Sequence, residues 1–277
     1  MARIKLIGVD LDGTLLNRQK QITSRTLKAL ALAQEQGVVV VPVTGRPFGG
    51  VPAVVTELPG LQYVISSNGA TVRDAVSGIT IMSKHIPAGR CLEILEILAG
   101  HGVPHEVFWN GLGYAEQGTY DLLFGRYTGT PVLPYYLSTR RAVEKSLAAF
   151  VRDGEKSAEE ILILAGGQEK KQAIHQDLKR LEDLSFISPF PNDLEVTAQG
   201  IDKGESLLYL ARKLGIAPDE TMAFGDEGND LALLEKAGFP VAMGNASEAV
   251  KAIARYVTAS NEEDGVALAI EKFVLKR

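Results

Sequence analysis

Two aspartates two residues apart, Asp10 and Asp12, sit in the run Asp10-Leu11-Asp12-Gly13-Thr14-Leu15, directly after the short apolar stretch at residues 4–9. If that stretch is a strand, its period of two turns both carboxylates to one side. Two carboxylates about 5 Å apart repel by roughly 3 kcal/mol at an effective dielectric near 20. Protonation of one, a hydrogen-bonded turn or a cation would relieve the repulsion. Oxygen-only ligands favour Mg2+, a hard ion that keeps several waters and binds substrate phosphate. The same run also suits a solvated turn, because Asp and Gly are favoured turn residues.

Three further groups of residues could share that chemistry. Thr44-Gly45-Arg46 follows a second apolar run at 38–43. A hydroxyl beside a glycine whose backbone can be approached closely makes a small anion cradle. Lys203, in Gly200-Ile201-Asp202-Lys203-Gly204, opens a predicted helix. A cation is mildly unfavourable there, so a lysine in that place can serve an anion. Gly225-Asp226-Glu227-Gly228-Asn229-Asp230 follows another apolar run and supplies Asp226 as a third metal carboxylate, with Asn229 and Asp230 in the next helical turn. Asp230 could equally cap that turn. Together the four groups provide nucleophile, anion cradle, cation and metal ligands, the set that phosphoryl transfer requires.

The elements that must hold these residues read as an α/β pattern. Predicted strands at 4–9, 38–41 and 63–66 alternate with helices at 23–36, N-capped by Thr23 and ended by Gly37, and at 52–58. Strand, helix, strand, helix, strand is the order of a parallel sheet. A hairpin around Ser77-Gly78 follows, then a stretch of different character. It holds predicted helices at 87–99, 140–151 and 169–181 and strands at 103–108, 112–116, 161–164 and 184–187. After Pro191 the α/β pattern returns, with helices at 203–214, 230–237, 246–254 and 263–272 and strands at 221–224 and 240–243. The expected fold class is α/β: a Rossmann-like parallel-sheet core, made from residues 1–81 and 193–277, with an inserted α+β cap at 82–192.

Composition narrows the setting. The chain has 277 residues, of which 45% are hydrophobic and 23% charged, ordinary for a globular protein of one or two domains. A net charge of −5 argues against nucleic acid or an anionic membrane as main partner. A single cysteine, Cys91, excludes an internal disulfide and fits a reducing compartment. Met1-Ala2-Arg3-Ile4-Lys5 lacks the apolar run of a secretory signal, and no apolar run is long enough to span a bilayer. A cytoplasmic protein, monomer or homodimer, is expected. Cys91 lies among Leu92, Ile94 and Leu95 and reads as a packed thiol. His101 and His105 are four apart, but Gly102 and Pro104 between them argue against a helix that would make them a metal pair.

Asp10-Leu11-Asp12-Gly13-Thr14, Val43-Thr44-Gly45-Arg46, Lys203 and Gly225-Asp226-Glu227-Gly228-Asn229-Asp230, in this order, resemble the motifs of the haloacid dehalogenase superfamily of aspartate-nucleophile phosphatases. Ser67-Asn68-Gly69-Ala70, Val241-Ala242-Met243-Gly244-Asn245-Ala246 and Asp264-Gly265-Val266 are similar to segments of its Cof-type subfamily, which carries an α/β cap where the insertion falls. The resemblance implies a Mg2+-dependent phosphatase acting on a small-molecule phosphate monoester. Asp10 would be the nucleophile and Asp12 the general acid and base. Mg2+ would be held by Asp10, Asp226 and the backbone carbonyl of Asp12. Thr44, Lys203, Asn229 and the backbone N–H groups of Leu11 and Gly45 would hold the phosphoryl oxygens, with Asp230, Arg46 and Thr14 supporting them from behind. The insert would set the substrate: a sugar phosphate first, a phosphorylated cofactor such as pyridoxal phosphate or a flavin nucleotide second. A phosphotransferase or phosphomutase could use the same motifs, and a non-catalytic phosphate sensor is a further alternative. A signalling receiver domain is disfavoured by the chain length and by the second acid, Asp12.

Overall fold

Leu6, Ile7 and Val9 have no exposed surface, as expected of a strand covered on both faces. In the computed structural model, which describes residues 2–188 and 191–276, Leu6–Val9 is an inner strand of a five-stranded sheet. It pairs in parallel with Val39–Pro42 on one side and Thr221–Gly225 on the other. Phe239–Ala242 and the two-residue strand Tyr256–Val257 extend the second side, also in parallel. Because every strand runs the same way, every carboxyl end opens on one edge. Chain order reverses at Leu6–Val9, the place where open α/β sheets bind ligands.

The chain divides into two compact units. The first comprises residues up to Gly45, Pro52–Met82 and the chain from Asp202 onward; the second comprises Arg46–Val51 and Ser83–Ile201. In the first unit, the helix Ser24–Glu35 starts at Thr23, whose side chain accepts from the Thr26 N–H at 3.2 Å. Tyr63–Ser66, Thr71–Asp74 and Thr80–Ser83 form a three-stranded sheet, and the parallel bridge between Val43 and Ile65 adjoins it to the five-stranded one. The hairpin tip falls at Ser77-Gly78, where Asp74 Oδ1 accepts from the Val76 and Ser77 N–H groups.

The second unit has a six-stranded mixed sheet. One face buries Val107, Ile161 and Ile163 in a core with the helix Ala88–His101. That core holds Cys91, whose thiol lies 3.3 Å from the Ile86 carbonyl and is pushed up to about 11 by burial. The elements differ from expectation in three places. Residues 140–151, expected to be one helix, are the strand Arg140–Val143 followed by the helix Leu147–Arg152. Pairing with Leu112–Glu116 wins there, since it buries Arg140 against Glu106 at 3.0 Å. Asp193–Ala198, placed by the sequence reading in the core, pairs antiparallel with Glu160–Leu164 and Leu184–Ile187 inside the second unit's sheet. Helices Gln117–Tyr127 and Leu133–Thr139 occupy a stretch whose periodicity is broken by Gly118, Gly125, Gly129 and Pro134.

Candidate active site

The carboxyl edge of the five-stranded sheet carries the candidate side chains. Asp10, one residue past Leu6–Val9, is 5% exposed, and its N–H donates to the Phe224 carbonyl at 3.1 Å. This bond ties it to the neighbouring strand end, where Asp226 follows Gly225 and is also 5% exposed. The third acid, Asp230, is wholly buried. One carboxylate oxygen from each of the three lies within 4.8 Å of the other two.

Lys203 reaches this cluster from the first turn of the helix Lys203–Lys213. Its ammonium is 1% exposed and donates to Asp10 Oδ1 at 2.6 Å and to Asp230 Oδ1 at 2.7 Å. Asp202 caps that helix by accepting from the Glu205 N–H, which fixes the turn that aims Lys203. Asp230 is committed on both oxygens, because its Oδ2 accepts from the Asp226 and Glu227 N–H groups at 2.9 and 3.1 Å. Asp226 is held by Thr14, whose Oγ1 donates to its Oδ1 at 2.7 Å. Asn245 Nδ2 donates to the Gly13 carbonyl at 2.8 Å and to Asp226 Oδ2 at 3.3 Å.

Three carboxylates against one ammonium leave the cluster short of positive charge. Burial, and then the neighbouring Asp230, hold the Asp10 carboxyl well above the usual carboxylate range, against the opposing pull of Lys203. Burial also pushes Asp226 up to about 7, with Thr14 opposing and Asp230 adding. Burial alone would lower the Lys203 ammonium, but Asp10 and Asp230 reverse this and raise it. An all-oxygen donor set with excess negative charge fits a hard divalent cation such as Mg2+. Since Asp230 is occupied within the protein, Asp10 and Asp226 are the carboxylates positioned to hold one.

Two loops carry the residues expected to hold an anion. Thr44, 2% exposed, donates its N–H to the Ile65 carbonyl and accepts from the Asn68 N–H. Gly45 has no room for a side chain: a Cβ there would lie 2.9 Å from Asn68 Oδ1 and 3.4 Å from Asn229 Nδ2. Leu11 is fully buried, and its carbonyl accepts from the Leu16 N–H at 2.8 Å.

Asp10, Thr14, Lys203, Asp226 and Asp230 are thus gathered in one bonded cluster, while Thr44, Gly45 and Asn229 are gathered around Asn68. The Asp12 carboxylate is not in the acidic cluster. It is 40% exposed and pairs with Lys20 at 2.6 Å. Arg46 belongs to the second unit, where its guanidinium donates to the Gly50 carbonyl and lies 4.6 Å from the centre of the Tyr135 ring. Lys20, Asn68 and Asn245 were given no role by sequence reasoning. Asn68 and Asn245 stand inside segments already singled out; nothing in the sequence marks Lys20.

Residues 7–270 match the family of haloacid dehalogenase-like hydrolases. Among curated proteins, the chain is similar to the phosphatase YwpJ of Bacillus subtilis (strain 168), with 34% identity over 95% of this chain and 98% of that protein. Among solved structures, it is similar to a haloacid dehalogenase-like hydrolase from B. subtilis, at 34% identity and a TM-score of 0.84, covering 97% of this chain and 99% of that one. It is also similar to the subclass IIB sugar phosphatase BT4131, at 27% identity and a TM-score of 0.79, covering 97% and 98%.

Proposed function

The chain belongs to the haloacid dehalogenase-like hydrolases and is a phosphatase of small phosphate compounds; from that premise we propose that it hydrolyses a phosphate monoester, a sugar phosphate first, through an aspartyl-phosphate on Asp10 with Mg2+ as cofactor. The observation that carries this reading is the buried Asp10, Asp226 and Asp230 cluster with Lys203 bonded inside it. The sugar-phosphate preference rests on the likeness to the sugar phosphatase BT4131.

Asp10 attacks phosphorus with a carboxylate oxygen, and the bond from phosphorus to the leaving oxygen breaks. Asp12 gives its proton to the departing alkoxide. The exposed ion pair of Asp12 with Lys20 is of a kind worth about 0–1 kcal/mol, so it releases readily. Asp12 then takes a proton from water, which attacks phosphorus, and the bond to Asp10 breaks to release phosphate. Lys203, Thr44, Asn229 and the N–H groups of Leu11 and Gly45 hold the phosphoryl oxygens as charge moves onto them. Asp10, Asp226 and the Asp12 carbonyl would hold Mg2+, which would supply positive charge to offset repulsion between carboxylate and phosphate. Asp230 and Thr14 keep these groups in place.

We place the enzyme in the cytoplasm as a monomer or homodimer. Among the described residues no helix is long and apolar enough to cross a membrane, and the one cysteine cannot form an internal disulfide. The deciding experiment is phosphate release from p-nitrophenyl phosphate and a panel of sugar phosphates, pyridoxal phosphate and flavin mononucleotide. Wild type with Mg2+ should turn over, while EDTA or Asp10→Asn should abolish release. Full activity of Asp10→Asn would remove the nucleophile assignment. Product carrying phosphate on a second hydroxyl would replace hydrolysis by transfer.

A further inference from the structure

After the strand Tyr63–Ser66 the backbone passes through three successive left-handed residues: Ser67 at φ 49°, Asn68 at φ 51° and Gly69 at φ 102°. Left-handed backbone is uncommon for residues with a Cβ, and a strained stretch persists where its surroundings over-determine it. Here they do. Asn68 is wholly buried, and its N–H donates to the Thr44 carbonyl at 3.1 Å. The Gly69 carbonyl accepts from Ser206 Oγ at 2.7 Å, on the helix that Lys203 opens. The loop is therefore pinned between Thr44 and the Lys203 helix. What it delivers is the Asn68 side chain, whose Oδ1 accepts from Asn229 Nδ2 at 3.4 Å. The same oxygen lies where it would meet a Cβ on Gly45. The bond is long, as such bonds often are before a ligand tightens the site.

We infer that Asn68 is a positioning residue for phosphate recognition, acting through Asn229. An amide can present either its N–H groups or its carbonyl. By accepting one N–H of Asn229, Asn68 fixes which end faces which way and leaves the other N–H to point at a phosphoryl oxygen. Without that acceptor the Asn229 amide can turn and offer its oxygen to the anion, which repels it. This inference rests on the reading that Asn229 holds the phosphoryl group.

The test is calorimetric titration of inorganic phosphate with Mg2+ present, alongside thermal melts and steady-state kinetics. It compares Asn68→Gly, Asn229→Ala and the double variant. Glycine is at ease at φ 51°, so Asn68→Gly should melt at or above the wild-type temperature. It should nonetheless weaken phosphate binding about tenfold, the worth of one hydrogen bond, and raise KM by a similar factor. In the Asn229→Ala background the same change should weaken binding less than about twofold, because the two residues form one coupled unit. A marked drop in melting temperature for Asn68→Gly would make its role structural and overturn the inference. So would wild-type phosphate affinity in Asn68→Gly, or effects of the two substitutions that simply multiply. If Asn229→Ala alone leaves phosphate affinity unchanged, the assignment of Asn229 to the phosphoryl group fails first, and the inference with it.

Discussion

Lys203 stands where one ammonium must serve two carboxylates out of contact with water. Removing one partner of a buried ion pair costs about 3–5 kcal/mol, because the other charge is left uncompensated. Lys203→Met should therefore lose both turnover and stability, and the loss should depend on pH. With the ammonium gone, Asp10, already held above the usual carboxylate range by burial and by Asp230, takes up a proton more readily, so urea melts should show a smaller deficit at pH 5 than at pH 8. A deficit equal at both pH values would mean that the lysine acts through packing alone. Asp226 supplies a second residue-level test. Its folded-state value near 7 is raised above the ordinary carboxylate value of 3.8. A raised acid binds more protons folded than unfolded, so its contribution to stability is full below about pH 4 and is lost as pH rises through about 7. In EDTA this contribution falls over that window. A cation that binds the ionised form reverses the trend, so the upward shift in melting temperature on adding Mg2+ should be larger at pH 8 than at pH 5.

Two helices set how far Lys203 enters the cluster. A Cβ on Gly204 would lie 2.1 Å from the Ala232 carbonyl oxygen, so Lys203–Lys213 can approach Leu231–Lys236 only because residue 204 has no side chain. Gly204→Ala should push the helices apart at a cost of about 1–3 kcal/mol and draw Lys203 away from Asp10. Gly118→Ala is the matched control. It lies in the helix Gln117–Tyr127 with nothing within 4 Å of its Cβ, and there alanine should be neutral or add about 0.5–1 kcal/mol. Chemical denaturation and kcat of both variants would check the pair. At this scale the sequence was most readable where one element is buried on its own pattern. Val39–Pro42, Tyr63–Ser66 and Lys203–Lys213 all fall where their apolar runs and caps predict. It was least readable where distant pairing decides the outcome. Arg140–Val143 reads locally as the start of a helix, and only the neighbouring strand and the buried Glu106 make it a strand. The candidate site follows the same rule: the acids and Lys203 announce themselves by sitting at strand ends and a helix start. The turn of Asp12 toward Lys20, and the bond from Asn229 to Asn68, depend on side-chain directions that spacing does not encode.

The whole molecule separates two kinds of polar burial. In the first unit the buried charges converge on a cluster suited to phosphoryl chemistry. In the second they lie on the sheet face opposite its apolar core. Register sets Glu160, Phe108, Gly113 and Arg140 in one row across four strands. Glu106 joins them two residues along from Phe108, bonded to Arg140, whose guanidinium lies 4.6 Å from the Phe108 ring centre. A fold built for stability alone would do as well with apolar residues there, since desolvating such a pair offsets most of its attraction. We propose that this polar face serves the choice of substrate rather than the stability of the sheet. The proposed division of labour is then that the first unit performs the transfer and the second selects the leaving group. Replacing Ser83–Ile201 by the corresponding unit of a relative with a different preference should reorder rates across a phosphate-ester panel by about tenfold or more. That corresponds to the 1–3 kcal/mol that a few changed contacts contribute to discrimination. Dependence on Asp10 and Mg2+ should be retained throughout. If the exchange scales every rate by one factor and leaves the ranking intact, selection resides in the first unit, and the polar face of the second must be explained by folding.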